Sequence, residues 1–337
     1  MCANQIKNNV VKNVKTDDMM NLLNQWNISY HQTLAQYDIT GSPERTLFRT
    51  VVGDSTGEKY ILEMIPQNKK DHKVYISQVL QKLKDTQMPY IYPYLKTKTN
   101  EYFAIENEMY WQLRPYIVGI PLDRSQYFKD AWRGKKTASF LANLKTKATN
   151  LDLALFKHSF SLKKYVLDMI STMKHHNPNE LQKVQSILSY LKEGFFQIYD
   201  SIPLCFCHGD VHVLNIIWSE DDIRCIIDWE FCGIKIELYD IANFLGCIGI
   251  EHPMGLVQNI SLSFINEIYE NNLISSKGSI YLIDCMIALR FAWLAEWFRK
   301  QDHEMISLEI TYMNLIMNQK KFIAQKWNES IGEENYF

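Results

Sequence analysis

The sequence predicts an α+β protein in which a small antiparallel β lobe precedes a large, mainly helical lobe. Three observations lead there. Two hairpin signatures lie within the first 117 residues, helical periodicity dominates after residue 121, and no internal repeat or low-complexity linker intervenes. With 337 residues, 47% of them hydrophobic and 22% charged, the chain has the material for a sizeable core and too little charge for disorder.

The elements follow in order. Residues 1–18 read as a polar tail, 19–117 as the N-terminal lobe and 118–337 as the C-terminal lobe. A short helix is expected over 18–26, where Met20, Leu22, Leu23 and Trp26 share one side. Strands over 46–52 and 59–65 flank the turn cluster Gly53-Asp54-Ser55-Thr56-Gly57. Helical spacing of Val74, Ile76, Val79, Leu80 and Leu83 predicts a helix over 73–83. A second hairpin, 102–106 with 109–117, turns at Asn107-Glu108 and leaves the lobe through Tyr116-Ile117-Val118-Gly119. Helices are then expected over 127–149, 161–174, 178–200, 256–271, 279–299 and 305–326, interrupted by a β-like insertion over 204–229.

Composition excludes several classes of partner. A net charge of −2 offers no general attraction for nucleic acid or anionic membrane, so neither is expected. Seven cysteines without a framework spacing read as reduced thiols. The first 18 residues hold no apolar stretch of signal-peptide type. The apolar regions 236–250 and 280–298 are broken by Glu237, Asp240, Asp284, Arg290 and Glu296, and read as buried helices rather than membrane spans. The expected location is cytoplasmic. Oligomeric state is not readable.

The chemistry lies in Cys207-His208-Gly209-Asp210-Val211-His212-Val213-Leu214-Asn215, followed by Asp228 within Ile226-Ile227-Asp228-Trp229-Glu230. Phosphoryl transfer to an alcohol needs a carboxylate beside the acceptor oxygen, to orient it and take its proton. It also needs hard oxygen ligands for Mg²⁺ on the phosphates. Asp210 suits the first task and the amide oxygen of Asn215 the second. Strands over 216–218 and 224–227, around the polar turn Ser219-Glu220-Asp221-Asp222, would return Asp228 to the level of Asn215 as the second metal ligand.

This His-Gly-Asp-x₄-Asn loop, with Ile-Asp-Trp-Glu after it, resembles the aminoglycoside phosphotransferase and choline kinase superfamily. The segment Glu237-Leu238-Tyr239-Asp240-Ile241-Ala242 is similar to the family's stretch ending in Asp-Leu-Ala, and 110–119 looks like its strand and hinge. The resemblance is strong over about residues 204–245, fair over 46–145, and architectural in the C-terminal helices. It implies a bilobal protein-kinase-like fold with an N-terminal nucleotide-binding lobe and a C-terminal catalytic and acceptor-binding lobe. It further implies Mg²⁺ with ATP or GTP as cofactors, Asp210 as base, and Asn215 with Asp228 as metal ligands. Backbone near Arg114 and Tyr116 would hold the base of the nucleotide.

Two features depart from the family. Where these kinases usually carry a phosphate-contacting Lys, the run Tyr60-Ile61-Leu62-Glu63-Met64 places Glu63, which would repel phosphate unless turned away or paired with a cation. Lys59, Lys69, Lys70 and Lys73 are the nearby candidates. The expected phosphate-covering loop, 40–46, holds a single Gly.

Other residues carry weaker expectations. His208 reads as an orienting member of the catalytic loop. Cys205, Cys207, His208 and His212 fit no common zinc spacing. Asp240 reads as a buried, loop-fixing carboxylate. Glu230, Trp293 and Glu296 are candidates for contact with a small hydroxylated acceptor, Trp293 and Glu296 from a helix whose aromatics could equally be core. The expected activity is transfer of the γ-phosphoryl group to a hydroxyl of a small metabolite or aminoglycoside-like acceptor. The alternative is a weak or inactive kinase-fold binding protein, motivated by Glu63. A protein kinase is disfavoured, since Trp229-Glu230 stands where Phe-Gly would follow the metal Asp and no Ala-Pro-Glu segment follows.

Overall fold

The computed structural model describes residues 16–37, 39, 44–149, 159–176 and 178–337. Of the glycine-poor loop, residues 40–43 lie outside this range, as does most of the expected N-terminal tail. The chain divides into two compact units, Met1–Gly119 and Ile120–Phe337.

In the first unit a five-stranded antiparallel sheet has the order β1-β2-β3-β5-β4, from β1 (Tyr30–Thr33), β2 (Phe48–Asp54), β3 (Lys59–Ile65), β4 (Ala104–Glu106) and β5 (Met109–Pro115). Alternation along the strands sends two residue sets to opposite faces. On one face Val52, Leu62, Met64, Trp111 and Leu113 pack with Met19, Leu22, Leu23 and Trp26 from helix α1 (Thr16–Asn24) and the turn after it. The other face carries Glu63 and Gln112, directly paired in register, and meets helix α2 (Lys70–Asp85), where Gln112 Nε2 donates to Ser77 Oγ at 3.1 Å. Strand β1 is absent from the sequence-based expectation. It is an edge strand whose side chains are largely exposed, so its residues need no apolar alternation.

The second unit is mostly helical. Its principal helices are α3 (Ala131–Thr149), α4 (Leu162–His176), α5 (Pro178–Glu193), α6 (Tyr239–Glu251), α7 (Asn259–Glu270), α8 (Leu282–Lys300) and α9 (His303–Ile331). The expected helix over 178–200 stops at Glu193, because Gly194 leaves helical backbone at φ −114° and ψ −96° before a further single turn. That over 127–149 begins as a 3₁₀ turn and becomes α-helical only at Ala131. The apolar run 236–250 is split between the end of a strand, Gly233–Ile236, and helix α6. Among the described residues, no helix is long and apolar enough to cross a membrane.

Helices α3 and α7 cross at close range, and Gly134 sets the distance. A Cβ built on Gly134 would stand 1.9 Å from the Ile260 carbonyl oxygen. Gly134→Ala is therefore expected to force the helices apart and to lower stability by about 1–3 kcal/mol, read as a lower denaturant midpoint with unchanged slope.

Within this unit the β-like insertion resolves into two small antiparallel pairs. Strand β6 (Leu204–Cys207) pairs with β9 (Gly233–Ile236), and β7 (Ile216–Trp218) pairs with β8 (Ile223–Ile226). These two ladders frame the segment 208–232 that holds the chemistry read from the sequence.

Candidate functional site

The loop after β6 is fixed by its own backbone. Asp240, at the start of α6 and 5% exposed, accepts the backbone N–H of His208 at 2.7 Å and of Gly209 at 2.8 Å. Burial raises its carboxyl to about 6, so it is a carboxylate at neutral pH. Gly209 has φ +87°, and a Cβ there would meet the Phe231 carbonyl oxygen at 2.2 Å, so the loop requires glycine.

His208 is fully buried. Its Nδ1 accepts the Asp210 N–H at 3.1 Å, which makes Nε2 the protonated nitrogen, donating to the Ile227 carbonyl at 3.0 Å. Burial holds its pKa down at about 4. The ring is a neutral strut joining the two arms of the site, with both nitrogens engaged by backbone.

Asp210 is half-buried. Asn215 Nδ2 donates to its carbonyl at 2.9 Å and to Oδ2 at 3.1 Å, and His212 Nε2 stands 3.8 Å from Oδ1. With the amide nitrogen of Asn215 turned to Asp210, its amide oxygen points the other way. The β7–β8 hairpin pairs Ile216 with Ile226, and Ile227 N–H donates to the Asn215 carbonyl at 3.0 Å, so Asp228 emerges next to Asn215. Asp228 is exposed and has left-handed backbone, φ 61° and ψ 61°, an uncommon conformation for a residue with a side chain. The Asn215 amide oxygen and the Asp228 carboxylate, on neighbouring backbone, are hard donors of the kind Mg²⁺ takes.

Cys205 and Cys207 lie on one side of β6 with sulfurs 3.7 Å apart, and among the described residues no group of three or more His, Cys, Asp or Glu side chains is placed to hold a metal ion.

The other candidates lie on separate elements. Glu230 is buried in the 3₁₀ turn after Asp228. On α8, Trp293 stacks with Trp297 at 6.5 Å, with the Arg290 guanidinium 5.4 Å from its ring. Glu296, chiefly through its hydrogen bonds from Arg299 and also through Lys300 on the same helix, is held down at about 2. In the first unit, Arg114 and Tyr116 lie at the end of β5. Tyr116 N–H donates to the Lys59 carbonyl at 2.9 Å, so its amide is already engaged.

Glu63 is fully buried, and its cation is one the sequence reading passed over. Arg49 stands opposite it on β2, with Nη2 2.5 Å from Oε1, and Tyr94 donates to Oε2 at 3.2 Å. Burial alone would raise the carboxyl. Arg114, Arg49 and Lys73 together outweigh that and hold it below the usual range, so it is ionised. Of the expected lysines, Lys59 donates to Tyr37 and Lys70 lies over the Tyr110 ring, leaving Lys73 alone with a share in Glu63. The signal for Arg49 was present in the 46–52/59–65 hairpin: pairing Gly53 with Lys59 puts Arg49 opposite Glu63.

Comparison with known proteins places the chain among phosphotransferases. The profile described as "Phosphotransferase enzyme family" matches residues 49–264. A segment of 79 residues is 37% identical to ethanolamine kinase 2 of Mus musculus, which is 23% of this chain and 20% of that protein. The chain thus matches about a fifth of the length of that curated relative. Among solved structures, an amicoumacin kinase in complex with AMP-PNP, Ca²⁺ and Ami superposes with a TM-score of 0.66 at 12% identity, over 92% of this chain and 96% of that one. A choline kinase from Streptococcus pneumoniae superposes with a TM-score of 0.57 at 14% identity, over 90% and 97%. At such identities the superpositions show the fold.

Proposed function

The chain belongs to the phosphotransferase enzyme family, and from that premise we propose a small-molecule kinase that moves the γ-phosphoryl group of ATP, or of GTP, to a hydroxyl of a small acceptor. The observation that carries this reading is the loop itself. One buried carboxylate, Asp240, fixes the backbone from which Asp210 projects, and Asn215 and Asp228 emerge beside it.

Asp210 orients the acceptor hydroxyl and takes its proton as the new O–P bond forms and the bond to the β-phosphate oxygen breaks. Asn215 keeps that carboxylate in place through Nδ2, while its amide oxygen and the Asp228 carboxylate would hold Mg²⁺. When bound, the metal neutralises charge on the β- and γ-phosphates. His208, as a neutral strut, keeps the Asp210 and Asp228 arms at a fixed spacing. The end of β5 from Arg114 to Tyr116 would hold the base, Tyr116 through its carbonyl.

Trp293, half-buried in its stack with Trp297, is the surface on α8 that suits an acceptor bearing an amine. Glu230 is buried and Glu296 is engaged on its own helix, so neither is assigned an acceptor contact. The likeness to ethanolamine kinase 2 supports ethanolamine as the first acceptor to try, with choline and aminoglycosides after it.

Calorimetric titration with Mg·ATP and Mg·GTP tests the reading. Binding is expected to need Mg²⁺ and to weaken by about tenfold or more in Asp228→Ala, a scale that even outer-shell partners of a metal reach. Undiminished binding by the variant would remove Asp228 as a metal ligand. Failure of both nucleotides to bind, with and without the acceptor panel, would favour a kinase-fold binding protein.

A further inference from the structure

Helix α9 carries an apolar stripe on its outer side. Leu308, Leu315 and Phe322 are 43%, 39% and 42% exposed. They recur every seventh residue, close to two helical turns, and so share one side of the helix. Beside the lower half of the stripe stands Met254, itself 61% exposed. Met254 and Val257 face Leu315 and Phe322 across an apolar groove of about 180 Å³. Its polar members are few: the Tyr312 hydroxyl is given to the Gly246 carbonyl at 3.1 Å, and Gln319 is the other. Leu315 and Phe322 thus belong to a contiguous patch rather than to the scattered apolar residues any surface carries.

The stripe ends in opposite charges. Glu304 lies exposed at its N-terminal end, and half-buried Lys326 stands at its C-terminal end, bonded at 2.6 Å to Glu329 one turn on. Read along the helix, the outer side carries Glu304, Leu308, Leu315, Phe322 and Lys326 in that order, with exposed Thr311, Asn318 and Gln319 between them. Such a pattern is complementary to itself when reversed, which is what a two-fold interface requires. A parallel copy would oppose Glu304 to Glu304 and Lys326 to Lys326.

We propose that this face joins two copies of the chain in an antiparallel α9–α9 dimer whose two-fold axis passes at Leu315. Leu308 of each copy then lies opposite Phe322 of the other and enters the Met254–Phe322 groove, while Glu304 lies opposite Lys326. Leu315 meets its own counterpart at the centre, where interfaces concentrate their binding energy.

Sedimentation of the full chain over a range of concentrations tests this. The expected mass is twice 39.7 kDa, dissociating on dilution. Leu315→Glu, a change at an exposed position that leaves the fold alone, is expected to raise the dissociation constant by about 30-fold or more. Glu304→Lys should raise it by about threefold, as rim charges do, and adding Lys326→Glu should restore it. A mixture of Leu308→Cys and Phe322→Cys chains should form the mixed disulfide under mild oxidation, and neither variant alone should do so through that position. A single-chain mass at every concentration would overturn the proposal and leave the groove to some other occupant. So would a dimer that survives Leu315→Glu, or cross-linking of Leu308→Cys to itself.

Discussion

Asp210→Asn is expected to lower kcat by about 10²–10⁴-fold, the range that one positioned proton acceptor supplies, while leaving the affinity for Mg·nucleotide within about twofold. The substitution is isosteric, and an asparagine oxygen can still accept from Asn215 Nδ2, which now donates to Asp210 Oδ2 at 3.1 Å. The loop would keep its shape, since its anchor is Asp240 through the His208 and Gly209 amides. What is lost is the ability to take the proton of the acceptor hydroxyl. Single-turnover assays of nucleoside diphosphate release, run beside calorimetry on the same preparation, separate the two quantities. Loss of nucleotide binding together with turnover would sink the assignment of Asp210 as base and point to a metal ligand instead.

The largest effect on stability is expected at Glu309. Its carboxylate is fully buried and accepts Arg290 Nε at 2.7 Å and Nη2 at 2.5 Å, with Trp297 Nε1 donating at 3.1 Å. Arg290 is itself 3% exposed. Glu309→Leu would leave a buried guanidinium without its counter-charge and should destabilise the chain by about 3–5 kcal/mol. Arg290→Met with Glu309→Leu, which removes both charges, should recover most of that loss. The comparison of denaturant midpoints decides it. If the double variant is no more stable than the single, the pair holds α8 to α9 by packing rather than by charge, and the electrostatic account fails.

What the sequence made legible was local, and what it concealed depended on register or tertiary crossing. The β7–β8 hairpin could be read because its strands and polar turn lie within one short segment, and from it followed the neighbourhood of Asn215 and Asp228. Asp240 could be read as a loop anchor from the Asp-Ile-Ala segment. Arg49 is hidden from a reading along the chain, although the hairpin of the same residues fixes its partner, because it neighbours Glu63 across the strand pair and not in sequence. The Arg290–Glu309 pair was illegible for another reason. It forms only after Gln301 takes left-handed backbone and turns α9 back along α8, a geometry that no period in either helix announces.

The pairing of Glu63 with Arg49 also constrains how this chain can change. A lysine placed at position 63 by one substitution would stand against Arg49 across the strand pair, two cations where one site is fully enclosed. Replacing Arg49 first would take from the buried carboxylate its cross-strand cation and leave it to Arg114, Lys73 and the Tyr94 hydroxyl. Either order passes through a damaged intermediate, so the two positions are locked as a couple. A cross-strand acid–base pair of this kind is easier to keep than to replace one residue at a time.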